Sequence, residues 1–364
     1  MSRTLILFAV FVSIVLCLED IPSYVNSLPE NTWRAKAGGY PDIKRSFLPL
    51  QSSVSPLVNF FRTTSSWLPT PKSPLKSSPL PDSYDVRTGR TCQSFAIRDQ
   101  LQCGSCYAFS AAEVLSDHLC IFQNTNTILS PQHIVSCSNN MGCNGGTVPK
   151  TLSFLKKGVV TEDDFPYVSG DGETIPKCPK LKNKTKYKAK NVAILTHEDP
   201  EEAMMEAIMS YGSVLGTMMI YVDFIDYESG IYKRTVIDDD KYKLGGHAIK
   251  IVGWGEENGV KYWTCANSWS EKWGERGYFR ILRGVNEVGI EGTTGFLGKC
   301  PPGYSAPFLH LCLTSKYLFA TFSVLGMILL CCLSCCYGIY RCTCGKPKLC
   351  GAYTSLDDNL VSNL

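Results

Sequence analysis

Gln100-Leu-Gln-Cys-Gly-Ser-Cys-Tyr-Ala-Phe-Ser110 places two cysteines three residues apart, Cys103 and Cys106. A helical pattern begins on the second one: Ala108, Ala112, Leu115 and Leu119 fall at i, i+4, i+7 and i+11, one face of a helix. Ser105 stands at the N-cap position, so Cys106 falls in the first turn. Unpaired backbone N–H groups and the positive end of the helix dipole favour a thiolate there, which is how a nucleophile is placed. A C-x-x-C pair has other readings. A zinc site needs two further ligands at matching spacing, and none is evident. A thioredoxin-like pair needs a reducing compartment and a βαβ context, and neither is seen. A purely structural pair stays open at this point.

The whole chain narrows the choice. Its 364 residues leave room for two or three domains, or for one two-part domain with processed ends. A formal net charge of +3 is small, and no basic stripe is interleaved with aromatics, so no nucleic-acid partner is indicated. The lysines between residues 180 and 190 read as a solvated loop. Eighteen cysteines is a high count, and their distribution matters more than the total. One cluster runs from Cys92 to Cys178, a few more reach Cys312, and a dense group occupies residues 331–350. The first cluster points to disulfides in an oxidising compartment.

Residues 1–18 hold Arg3 and then an apolar run, the pattern of a secretory signal peptide cleaved after Cys17. Residues 19–79 include Leu68-Pro-Thr-Pro-Lys-Ser-Pro74, a composition that rarely packs a core and reads as a linker or removable segment. Residues 80–300 have globular density. The Cys106 helix and a second helix near residues 151–157 occupy the first half. Strand-like runs fill the second: 215–222, 247–254, 261–266 and 277–283. A helical half followed by a sheet half predicts an α+β fold. After a juxtamembrane stretch at 301–316, residues 317–340 contain no charged residue and suffice to cross a bilayer. Arg341, Lys346 and Lys348 follow, which assigns residues 341–364 as a cytoplasmic tail and the globular part as extracytoplasmic. The expected protein is thus a single-pass type I membrane protein of the secretory pathway, in endosomes, lysosomes or at the cell surface. Cys331, Cys332, Cys335, Cys336, Cys342 and Cys344 lie at the cytoplasmic boundary, as palmitoylation sites or as small helix-packing residues. Tyr353-Thr-Ser-Leu356 resembles a tyrosine-based endosomal sorting signal, and Asn183-Lys-Thr185 is a glycosylation sequon.

A cysteine nucleophile needs a base, and the base needs an orienting group. Of five histidines, His118, His133, His197 and His310 sit in helical, polar or membrane-proximal surroundings. His247 differs: Gly245-Gly246-His247-Ala248 opens an apolar strand, with small neighbours that let a substrate backbone approach. After a turn comes Trp263-Thr-Cys-Ala-Asn267-Ser-Trp269. An Asn amide oxygen can accept from the imidazole, and a neighbouring aromatic can shield that bond from water.

The order Cys, His, Asn resembles the papain-like cysteine peptidases and, within them, the cathepsin B group. Supporting stretches are Gly142-Cys-Asn-Gly-Gly146, Tyr227-Glu-Ser-Gly-Ile-Tyr232, Gly245 to Gly255, Trp273-Gly-Glu-Arg-Gly277 and Gly289-Ile-Glu291, all between residues 80 and 298. The resemblance implies a two-lobed fold, a helical lobe facing a β-rich lobe across a cleft. It implies Cys106 as nucleophile, His247 as its proton partner in a thiolate–imidazolium pair, and Asn267 as the orienting amide. Gln100 would join the Cys106 N–H in an oxyanion hole. Trp269 would cover the His247–Asn267 bond. Gly145 and Gly146 would present backbone groups to an extended protein or peptide substrate, and Ala248 and Thr293 would line its P2 pocket. Cys92 would pair with Cys120, Cys103 with Cys143, and Cys137 with Cys178. No metal or cofactor is implied. Asn31-Thr-Trp-Arg34 resembles the start of the family's propeptide, so residues 19–79 would act as the enzyme's own inhibitor until removed.

Several positions depart from the cathepsin B pattern. Tyr107 replaces a tryptophan. The stretch between Tyr167 and Tyr187 is short and has no histidine, where cathepsin B carries the His-His pair of its occluding loop. Thr293 stands where an acidic P2 floor is usual, and Cys265 is an additional thiol beside the catalytic strand. The expected activity is endopeptidase action with weak acceptance of P2 arginine. A silent binding protein on the same fold would have lost the nucleophile or base. A disulfide-rich structural ectodomain would have Cys106 paired.

Overall fold

The computed structural model describes residues 21–38, 80–196, 200–236, 239–300, 304–305 and 311–314. The signal peptide, residues 39–79, the apolar run 317–340, the cytoplasmic tail, His197 and His310 lie outside the described residues. Everything described up to Leu313 belongs to one compact unit.

The helical half is built on the helix Cys106–Gln123. The apolar face read from the sequence is buried, but so are Ala111, Glu113, Val114 and Asp117. The helix runs through the interior and is covered on most sides. It ends at Asn124 in the left-handed conformation (φ 49°), whose N–H reaches back to Leu119 O. The helix Pro131–Cys137 packs beside it, with proline in its first turn and Ser130 Oγ accepting from the His133 N–H at 2.9 Å. A third helix spans Val148–Lys157.

Further helices span Ile21–Ser27 and Pro200–Tyr211, and the strands form one sheet. Its strands are β1 (Trp33–Ala35), β2 (Tyr84–Asp85), β3 (Ala193–Thr196), β4 (Val214–Tyr221), β5 (Tyr227–Tyr232) and β6 (Lys243–Glu257), then β7 (Val260–Ala266), β8 (Tyr278–Leu282), β9 (Thr293–Phe296), β10 (Tyr304–Ser305) and β11 (Leu311–Thr314). Their spatial order is β1-β5-β8-β7-β6-β4-β9-β3-β11-β10, with β2 on β6. The central strand β6 pairs antiparallel with β4 and β7. Its alternation separates two cores: Ile249 and Ile251 join the sheet core, and Ala248 joins the core of the Cys106 helix. This split is the α+β, two-lobed arrangement expected, with β6 belonging to both halves.

Both ends of the sheet come from outside residues 80–300. At one end β1 pairs antiparallel with β5, Trp33 opposite Gly230. Trp33 is buried against Tyr227 and Tyr232, with ring centroids at 6.0 and 5.1 Å, and its Nε1 donates to Lys233 O at 2.8 Å. Gly230 (φ +96°) is needed for this approach: a Cβ there would lie 2.5 Å from Thr32 O and 2.7 Å from Trp33 Cα. At the other end β11 pairs parallel with β3, and a Cys300–Cys312 disulfide closes the connection. The boundary expected at residue 300 therefore falls inside a disulfide-closed segment whose Cys312 is buried in the sheet core. Cys92–Cys120, Cys103–Cys143 and Cys137–Cys178 are the other disulfides among the described residues, and Cys106 and Cys265 are free and buried.

Candidate active site

Cys106 is the first residue of its helix. Ser105 occupies the N-cap position but makes no side-chain cap; its hydroxyl pairs instead with Tyr167 OH at 2.9 Å. The early N–H groups are thereby left for the sulfur. The backbone amides of Ala248, Tyr107 and Cys106 all act on the Cys106 thiol and lower its pKa. The Ala248 contact brings the start of β6 onto the nucleophile and makes His247 its sequence neighbour at the junction.

His247 is 1% exposed, and its Nε2 lies 2.8 Å from Asn267 Oδ1, at the end of β7. That oxygen also accepts from the Ser268 N–H at 2.8 Å, which fixes the amide's orientation. The Trp269 ring lies 4.9 Å from the imidazole, inclined at 34°, and is itself walled in by Trp273 and Phe224. With Nε2 committed to Asn267, Nδ1 is the nitrogen that can exchange a proton with a thiol.

The thiolate–imidazolium pair expected from the resemblance is opposed by burial. Desolvation pushes the Cys106 thiol up to about 11, against the three amides, and pushes His247 down to about 4, against the Asn267 hydrogen bond. Both shifts act against the charged pair.

Gln100 is held at both ends of its side chain. Nε2 donates to Cys103 O at 2.9 Å, and Oε1 accepts from Ser268 Oγ at 2.6 Å. One amide hydrogen remains for a second acceptor. Its carbonyl receives the Tyr167 hydroxyl at 2.8 Å, so Tyr167 ties Gln100 to the start of the Cys106 helix. Neither Tyr167 nor Ser268 was recognisable as part of the site in sequence: one is a lone tyrosine, the other an unremarked neighbour of Asn267.

The Gly145 carbonyl is taken by the Met141 N–H at 2.8 Å, whereas no backbone hydrogen bond among the described residues engages Gly146. A Cβ at Gly146 would meet the Tyr107 ring at 2.6 Å, and Tyr107 OH donates to Gly142 O at 3.0 Å. The tyrosine therefore supports the glycine loop from below. Ala248 faces Thr217 across β6 and β4, and Thr217 Oγ1 donates to Thr293 O at 3.3 Å on β9. Ala248, Thr217 and Thr293 lie in one row across three strands, each buried. No cluster able to hold a metal ion occurs among the described residues.

A buried thiol at a helix start, beside a strand imidazole oriented by an amide oxygen, defines a class: hydrolases that work through a cysteine nucleophile. Residues 80–296 match the papain family cysteine protease model, and the chain belongs to that family. It is 35% identical over 316 residues to cathepsin B-like cysteine proteinase 4 of Caenorhabditis elegans, covering 75% of this chain and 90% of that protein. It is 40% identical over 245 residues to a gut-specific cysteine proteinase of the same organism, covering 58% and 71%. Among solved structures, procathepsin B S9 from Trypanosoma congolense superposes with a TM-score of 0.61 at 28% identity, covering 75% of this chain and 95% of that one. The protein is a papain-family cysteine peptidase with cathepsin B-like relatives.

Proposed function

We propose that the chain is a membrane-anchored cysteine endopeptidase, made as a zymogen and working in endosomal or lysosomal proteolysis. The observation that carries the catalytic part is the His247–Asn267 hydrogen bond on strands that also press the Ala248 amide against Cys106. In the proposed reaction Cys106 gives its proton to His247 Nδ1 as the sulfur attacks the substrate carbonyl carbon. The resulting oxyanion takes hydrogen bonds from Gln100 Nε2 and the Cys106 N–H. His247 then returns the proton to the leaving amine, and a thioester remains on Cys106. Water, losing a proton to His247, attacks that thioester; the C–S bond breaks, the acid is released, and His247 passes the proton to the Cys106 sulfur.

The shape of the substrate site supports an extended peptide. Gly146 offers an unengaged backbone, and the Ala248–Thr217–Thr293 row supplies a small, neutral P2 floor. Leucine at P2 is expected to be cleaved well in excess of arginine, and Thr293→Glu should raise the Arg/Leu ratio about tenfold or more; an unchanged ratio would remove Thr293 from the pocket. The loop between Tyr167 and Tyr187 is held to the nucleophile half, with Gln102 N donating to Gly170 O at 2.9 Å, and it contains no histidine. This favours endopeptidase over dipeptidyl-carboxypeptidase action, and efficient release of C-terminal dipeptides would contradict it.

Residues 21–38 are the docked part of the proposed prosegment. The anchor is read from the uncharged run 317–340, outside the described residues; among the described residues no helix is long and apolar enough to cross a membrane. Asn183 is exposed in a turn, as a glycosylation site requires. The first test is labelling of the prosegment-processed protein with an epoxide directed at papain-like cysteines, beside Cys106→Ala. An adduct on Cys106 with loss of hydrolysis is expected; no adduct on folded protein would leave a silent binding protein. Resistance of the full chain to carbonate extraction tests the anchor separately.

A further inference from the structure

The Cys106 helix and the His247 strand meet a second time, away from the nucleophile. Lys250 lies on β6 two residues beyond Ala248 and on the same face. Glu113 and Asp117 lie one turn apart on the Cys106 helix. The three are 1%, 5% and 0% exposed. Lys250 Nζ is 3.3 Å from Glu113 Oε2 and 3.3 Å from Asp117 Oδ2, and it donates to Ser94 O at 2.8 Å. Asp117 Oδ2 also accepts from Ser213 Oγ at 2.5 Å. Glu113 Oε1 and Asp117 Oδ1 have no hydrogen-bond partner among the described residues. The other groups that face the cluster are Arg98, committed to Glu162 at 2.9 Å, and Tyr278 of β8, whose hydroxyl donates to Phe95 O at 2.6 Å.

Two carboxylates against one ammonium leave an excess negative charge in a buried site. Like charges that share such a site keep one of the two protonated. Asp117 receives donors from Lys250 and Ser213, whereas Glu113 receives only Lys250, so the proton belongs on Glu113. In agreement, burial holds the Glu113 carboxyl above the usual carboxylate range, against the pull of Lys250 and Arg98.

We propose that Glu113, Asp117 and Lys250 form a proton-dependent clamp that positions the nucleophile helix against the base strand. With the proton on Glu113 the cluster is neutral and keeps Cys106 in register with His247; loss of the proton loosens that contact. These are positioning residues, since they act through the helix and the strand. A carboxyl whose folded pKa is raised stabilises the fold fully below its ordinary pKa, and that stabilisation is lost as pH rises through the raised value. The contact therefore weakens as pH rises through the raised Glu113 value.

The test uses prosegment-processed protein from the full chain, as wild type, Glu113→Gln, Asp117→Asn and Lys250→Met. Each is held at a series of pH values and then assayed at one acidic pH, relative to its own unincubated sample. Returning to one pH removes the titration of Cys106 and His247 from the readout. Glutamine is neutral at every pH, so the inactivation midpoint of Glu113→Gln should rise by about one pH unit, with an inactivation half-life about tenfold longer at the wild-type midpoint. Asp117→Asn should move the midpoint in the same direction, and Lys250→Met, which leaves two unpaired carboxylates, in the opposite one. Should Lys250→Met fail to fold, the two neutralising variants decide. An unchanged midpoint in both overturns the clamp.

Discussion

At the residue scale, His247 has one ring nitrogen committed to Asn267, and that commitment selects the nitrogen left for the proton. Asn267→Ala should leave the fold intact and reduce kcat about ten- to hundredfold, because the imidazole loses its orientation and a hydrogen bond that raises its pKa. Single-turnover acylation would report the loss directly, and an unchanged rate would mean that Trp269 alone holds the ring. Cys106, His247 and Asn267 were legible in the sequence because each residue type is rare in its setting: one cysteine at a helix start, one histidine opening a strand, one asparagine before a tryptophan. Their protonation was not. The helix N terminus argues for a thiolate, but burial of both partners depends on how two distant segments close over them, and no local pattern records that.

At the element scale, the positions of β4, β6, β7 and β8 follow from alternation and from glycine punctuation and were readable to within a few residues, whereas the helix Pro200–Tyr211 interrupts the expected helix-then-sheet order. The two ends of the sheet were not readable. β1 is three residues long and β11 four, too short for a periodic signal, and each is a strand only because a neighbouring edge accepts it. Trp33 carries the resemblance to a propeptide start, yet its burial against Tyr227 and Tyr232 is a property of the fold. Trp33→Ala should weaken inhibition by the prosegment about a hundredfold or more, since truncating a buried tryptophan costs about 3–5 kcal/mol. Titration of processed enzyme with wild-type and substituted prosegment peptides measures this. The Cys300–Cys312 bridge was missed for a related reason: an even set of cysteines permits many pairings. Replacing both by serine should cost about 3 kcal/mol for a loop of this length, read as a lowered Tm of the whole chain.

For the whole molecule, pH acts on stability from the acid side as well. His133 is buried between Phe154 and Phe165, its Nδ1 accepts from the Val160 N–H at 3.3 Å, and burial lowers its pKa to about 4. Because that value lies below the 6.5 of an ordinary imidazole, the contribution is fully present above 6.5 and is lost as pH falls from there through about 4. Melting temperatures of wild type should therefore drop across that window, and those of His133→Gln should drop less; parallel curves would exclude His133 as the acid-labile group. The sheet would also change identity under the proposed maturation. Removal of residues 21–38 would strip β1 from β5, so that Ile231 would lose the partners its N–H and carbonyl have in Thr32, and the space between Tyr227 and Tyr232 would open. That bare strand would be an epitope confined to molecules that have lost the proposed prosegment. An antibody raised against it would count processed enzyme in a mixed population without any substrate being turned over.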